Sequence, residues 1–183
     1  MTTVRKRSAR LASALLVAAY FTTPAKVKGA TVPDSTEFNK LLASAKTESS
    51  LLKSAAADLD TLAKSNPSRE SHAPKMQAVT NHVDKFDKLL ESMKRVTETG
   101  SMWQQTAVRR IELLLKEVHA NLEQTAGYLN ENRAKLRFTA YKEYVTANYE
   151  VTMDLEALIR DFVAYGEAKQ IIERLGAKLE IAD

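Results

Sequence analysis

Cysteine is absent from these 183 residues. That excludes disulfide scaffolds, thiolate zinc sites, iron–sulfur clusters, covalently attached c-type haem and cysteine nucleophiles. Glycine and proline are scarce, at five and four. A many-stranded sheet wants turn residues every ~8–12 positions, so the scarcity argues against an all-β fold. No glycine-rich phosphate loop and no Gly-x-Ser-x-Gly nucleophile elbow occurs. There is no Asn-x-Ser/Thr sequon with an allowed middle residue. No apolar run reaches the ~20 residues that cross a bilayer. The chain is 44% hydrophobic and 27% charged, which is ordinary for a folded chain and fits one domain.

The excess of basic charge is local. Residues 1–10 carry Arg5, Lys6, Arg7 and Arg10 and no acid. An uncharged apolar run follows at 11–21, then Thr23 and Ala25 at the −3 and −1 positions of a cut after Ala25. A positive start, a short apolar core and a small-residue exit predict a secretory signal peptide at 1–25. Without it the chain has 23 basic and 23 acidic residues. The high isoelectric point therefore gives no support for nucleic-acid binding, which needs a basic stripe on the folded domain. Export without disulfides or sequons reads as a periplasmic or secreted bacterial protein, with a flexible extension at 26–33 and one helical domain at 34–183.

Four segments carry a helical seam of alternating three- and four-residue steps. The first, at 34–65, places Phe38, Leu41, Ala45, Leu52, Ala55, Leu59 and Leu62 inward, with Glu48 interrupting. Asp34 and Glu37 approximate a capping box, and Asn66-Pro67 ends the segment. A polar connection at 66–74 leads to the second, at 75–98, with Met76, Val79, Val83, Phe86, Leu90 and Met93 inward. Gly100 marks a tight turn, with a left-handed backbone available to it, and Ser101-x-x-Gln104 reads as a capping box. The third segment turns Ala107, Ile111, Leu114, Val118, Leu122, Thr125 and Leu129 inward. The fourth, at 140–180, runs on Tyr141, Tyr144, Asn148, Val151, Leu155, Leu158, Phe162, Tyr165, Ile172 and Leu179. Short connections predict an all-α fold, an up-down-up-down antiparallel bundle of four long helices with coiled-coil-like packing. An elongated oligomeric coiled coil is the alternative. The fourth segment is longer than the rest, so its end overhangs the bundle near the start of the first. Gly166 and Gly176 are places where it could bend or fray. Ile171, Ile172, Leu175, Leu179 and Ile181 on the overhang want a partner.

Chemistry is read mostly by elimination. None of His72, His82 and His119 follows a Glu by three, so the Glu-x-x-His ligands of a di-iron bundle are missing. His-Glu-x-x-His is absent as well. His82 and His119 flank the seam instead of lying on it, which argues against axial haem ligation. Asp58/Asp60 and Glu112/Glu117 read as charges on a solvated face. No catalytic, cofactor-binding or metal-binding residue is identified, and no cofactor is expected.

Residues 137–149 are rich in aromatics. Phe138, Tyr141, Tyr144 and Tyr149 form either a contact patch, since tyrosine favours interfaces, or a broad core stripe with its hydroxyls at the rim. With Ile172, Leu175 and Leu179 of the overhang they are the candidate interaction residues. The segments Trp103-Gln104-Gln105, Ala126-Gly127-Tyr128-Leu129-Asn130-Glu131-Asn132-Arg133, Tyr141-Lys142-Glu143-Tyr144 and Asp161-Phe162-Val163-Ala164-Tyr165-Gly166 resemble those of a group of small exported, all-helical bacterial proteins of unassigned function. That resemblance implies export and helix and no activity. The expected role is a non-enzymatic structural or protein-interaction module of the cell envelope. It would bind a protein partner or itself through the C-terminal helix, without nucleic acid and without a transmembrane span in the mature chain. The alternatives are a periplasmic chaperone-like holdase, a b-type haem or metal-binding bundle, and last a membrane-active toxin.

Overall fold

The computed structural model describes residues 32–65, 69–98, 100–131 and 139–179. The predicted signal peptide lies outside them. Four helices account for nearly all of these residues: α1 (Thr36–Ser65), α2 (Arg69–Thr97), α3 (Met102–Glu131) and α4 (Thr139–Lys178). α1 packs on α2 and α4, and α3 packs on the same two. The result is an antiparallel four-helix bundle around one apolar core.

α2 buries every predicted seam residue, from Met76 to Met93. The seam of α1 is displaced. Its inward residues are Phe38, Leu42, Ala45, Ser49, Leu52, Ala56, Leu59 and Ala63, so Leu42, Ala56 and Ala63 replace Leu41, Ala55 and Leu62. A bundle helix has neighbours on two sides, and either edge of a broad apolar stripe can face the centre. Leu41 and Ala55 pack at the flank, half-buried. Glu48 does not interrupt the seam. It lies beside it and meets His82 Nδ1 of α2 at 2.6 Å, while Ser49 takes the seam position and donates to its own helix at Lys46 O.

Four local expectations are corrected. α2 begins at Arg69 and carries Pro74 inside it, so the polar connection shrinks from nine residues to three. Proline in a helix interior removes one hydrogen bond. Here the loss falls in the first turns, and His72 holds that end of the helix by burial in the core. The N-cap of α1 is Ser35, whose Oγ accepts the Phe38 N–H at 3.2 Å; Asp34 is turned elsewhere. Gln104 does not close a capping box on Ser101. Its amide accepts from Ser35 N–H and donates to Ser35 O, both at 3.0 Å, which joins the start of α3 to the start of α1. Gly100 does not take the left-handed backbone expected of it; a Cβ there would lie 3.1 Å from Gln104 Oε1 and 3.2 Å from Thr97 Cα, so a side chain would push its neighbours by a few tenths of an ångström.

Asn148 occupies a core position of α4 at 1% exposure, and neither side-chain atom has a hydrogen-bond partner. A buried unpaired amide is destabilising, and an apolar group of the same shape removes that penalty. Asn148→Leu is therefore expected to stabilise the bundle by about 1–2 kcal/mol. Thermal melting would show it as a rise of roughly 2–8 °C. An unchanged or lower midpoint would show that the amide is satisfied in solution.

Candidate interaction surface

Both ends of the bundle carry polar groups within the packing, and they differ in what they do. At the end formed by the start of α2 and the start of α4, His72 and Tyr141 are buried at 1% and 0% exposure. The Tyr141 hydroxyl lies 2.7 Å from His72 Nδ1. Burial depresses the His72 pKa and pushes the Tyr141 phenol up to about 12. We assign the phenol as donor, which places the imidazole proton on Nε2. Tyr128 lies against Tyr141 with the rings tilted by 33° at 5.9 Å, and meets Tyr144 edge to face.

One member of the aromatic patch is not a surface residue. Tyr141 is core, Tyr144 and Tyr149 are half-buried, and Phe138 lies outside the described residues. Tyr141 sends its hydroxyl into the core, to His72, while Tyr144 and Tyr149 stand at the margin of the packing. Nor do these aromatics join Ile172, Leu175 and Leu179: Ile172 lies 31 residues along the helix from Tyr141, about 46 Å.

At the other end, Trp103 of α3 spans α1 and α4. Its ring meets Phe38 at 5.7 Å and Tyr165 at 5.2 Å. Gly166 is its seat, since a Cβ there would stand 3.0 Å from Trp103 Cη2. The helix is continuous through Gly166 and Gly176, so neither breaks it. The indole N–H donates to Asp34 Oδ1 at 2.8 Å, and Lys169 of α4 donates to the same oxygen at 2.9 Å. Burial raises the Asp34 pKa, but Ser101, Lys169 and Trp103 together outweigh it and hold the carboxyl below its ordinary value. Asp34 raises the pKa of Lys169 in return, against the opposing effect of burial. This cluster fixes α4 to the start of α1 at the point where α4 leaves the bundle.

Beyond it one side of α4 is apolar and the other carries Gln170, Glu173 and Arg174, all exposed. Ile171, Ile172, Leu175 and Leu179 are 47%, 69%, 46% and 63% exposed. Tyr165, Ala164 and Ala168 are exposed as well. The direction of this stripe follows from helix geometry. Gly166 faces the core; Ala168 lies roughly 200° further round the helix, and Leu175 roughly 180°. The bundle seam of α4, through Tyr141, Val145, Asn148, Thr152, Leu155 and Ile159, would continue into Gln170 and Glu173. The apolar stripe therefore changes sides near Ala164. Ile172 and Leu179 belong to a second face pointing away from the core, not to the bundle seam that the sequence assigns to them, and Tyr165 lies at its border, 52% exposed with one edge against Trp103.

The remaining histidines pair with acids on neighbouring helices, His82 with Glu48 and His119 with Asp87. Among the described residues, no group of three or more His, Asp or Glu side chains could hold a metal ion. No described helix is long and apolar enough to cross a membrane. A shallow open groove of about 340 Å³ runs between α1 and α4, lined by residues including Asn39, Lys40, Val163 and Glu167. Sequence reasoning missed His72, Gln104, Asp34 and Lys169. The available signal was a histidine and a glutamine each one heptad step ahead of an apolar seam. No family model matches this chain, and neither does any curated protein or solved structure.

Proposed function

We propose that this chain is an exported, non-enzymatic helical bundle that binds a protein partner or itself through the outward face of α4. The observation that carries this reading is the second apolar face, from Ala164 to Leu179, exposed along its length and directed away from the core. Isolated exposed apolar residues are ordinary on a protein surface, but a continuous stripe marks an interaction site. A stripe on one projecting rod suits a helix-sized partner better than a cradle for unfolded chains. The basic, apolar and small-residue order of residues 1–25 supports export.

The test is a variant with Ile171, Ile172, Leu175 and Leu179 all changed to Gln. It is expected to melt within a few degrees of the parent, because none of these side chains belongs to the core or packs against it. It is also expected to lose the higher-mass complexes that the parent forms when purified or in envelope extract. Complexes that persist in the variant would refute the reading, and so would a collapse of its melting transition. N-terminal sequencing of the envelope-fraction protein should begin at Lys26; recovery of Met1 would remove the export part.

A further inference from the structure

The sequence of the second face favours one occupant. We propose that it pairs with the same face of a second copy, antiparallel, with the twofold axis beside Glu173 and Arg174. This rests on the reading of α4 as an interaction surface and names its partner. Along the face, Ala168, Ile172, Leu175 and Leu179 follow one another at steps of four, three and four, the spacing of a coiled-coil seam. Their sizes are ordered, with the small residue at the bundle end and the large ones beyond. An antiparallel pair sets Ala168 opposite Leu179 of the second copy, and Ile172 opposite Leu175 of the second copy. Every layer then matches a small side chain to a large one, or two of similar size. A parallel pair would set Ala168 against itself and leave a gap.

The charges agree with this arrangement. On one flank Glu167 lies within about 3 Å along the axis of Lys178 of the second copy, close enough for the two side chains to pair. This attraction occurs twice by symmetry. Lys169 on the other flank holds Asp34 and Glu173 of its own chain, at 2.9 and 3.4 Å. Because the stripe faces away from the core, the two bundles sit on opposite sides of the paired helices and offset along them, without collision. About three turns of paired helix make a short seam, so the dimer is expected to form and dissociate with concentration.

The absence of cysteine makes the register measurable. Ala168→Cys and Leu179→Cys proteins, oxidised as a mixture, are expected to cross-link to each other far more than either does alone. Sedimentation equilibrium of the parent should show a concentration-dependent dimer. Ile172→Asp should abolish it. Glu167→Lys should weaken it at least several-fold, and Lys178→Glu added to that variant should restore it. Cross-linking of each cysteine variant to itself would overturn the antiparallel register. A parent that stays monomeric up to millimolar concentration would overturn self-pairing altogether. In that case, the four-glutamine variant still losing its envelope complexes would leave the surface a docking site for another protein. That variant behaving as the parent would sink both.

Discussion

Trp103→Ala is expected to be the most damaging single substitution among the residues described, lowering stability by about 3–5 kcal/mol. Three contributions combine. The indole loses its edge contacts with Phe38 and Tyr165. The space above Gly166 empties, and a helix cannot close over it, because the missing atoms came from a third element. Asp34 Oδ1 loses the indole N–H and keeps only Lys169. Thermal melting followed by far-ultraviolet circular dichroism should show a fall of roughly 6–20 °C. A fall under about 3 °C would mean that the indole is a surface cover and does not join three helices. Gly166→Ala separates seat from ring. Alanine favours a helix over glycine by about 1 kcal/mol, but its Cβ would crowd Trp103 at 3.0 Å. It should gain less than Gly127→Ala on α3, where nothing lies within 4 Å of the added Cβ.

The second large effect is at the opposite end. Tyr141→Phe removes one hydroxyl and leaves His72 Nδ1 buried without its partner, which should cost about 1–3 kcal/mol. The double variant Tyr141→Phe/His72→Phe removes both polar groups and should recover most of that loss. Chemical denaturation of the parent, the two single variants and the double variant measures the coupling. Additive losses would show that the 2.7 Å contact contributes nothing.

The same pair predicts a pH dependence. His72 is depressed by burial from an ordinary value of 6.5. The unfolded chain therefore takes up a proton below about pH 6.5 while the folded chain does not. The stability associated with neutral His72 is fully present above that pH. It is lost as pH falls toward the depressed folded value, at up to about 1.4 kcal/mol per pH unit for one proton. Asp34 acts lower. Its folded pKa lies below 3.8, so its stabilisation is complete above that value and fades only in stronger acid. The double variant should lack the loss that begins below pH 6.5. An identical slope in parent and double variant would remove His72 as its origin.

The helical class, the number of helices and most of their limits could be read from sequence, because an apolar residue every three or four positions permits little else. The α2 seam was legible to the residue: its stripe is narrow, so only one rotation buries it. α1 was legible only to within a rotation. Leu41 and Leu42 are both apolar, and periodicity alone does not choose which faces the centre. The long fourth helix and its apolar overhang were also fixed by sequence. Tertiary structure decided the rest. Whether Tyr141 is surface or core depends on His72 arriving from a helix 69 positions earlier. Whether Gly166 breaks a helix or seats a ring depends on Trp103. The overhang was read from sequence as a continuation of the core seam. Its true direction follows from which side of α4 the bundle occupies, and that is set by the other three helices. Local periodicity records that a helix has an apolar face, but only packing assigns that face a neighbour.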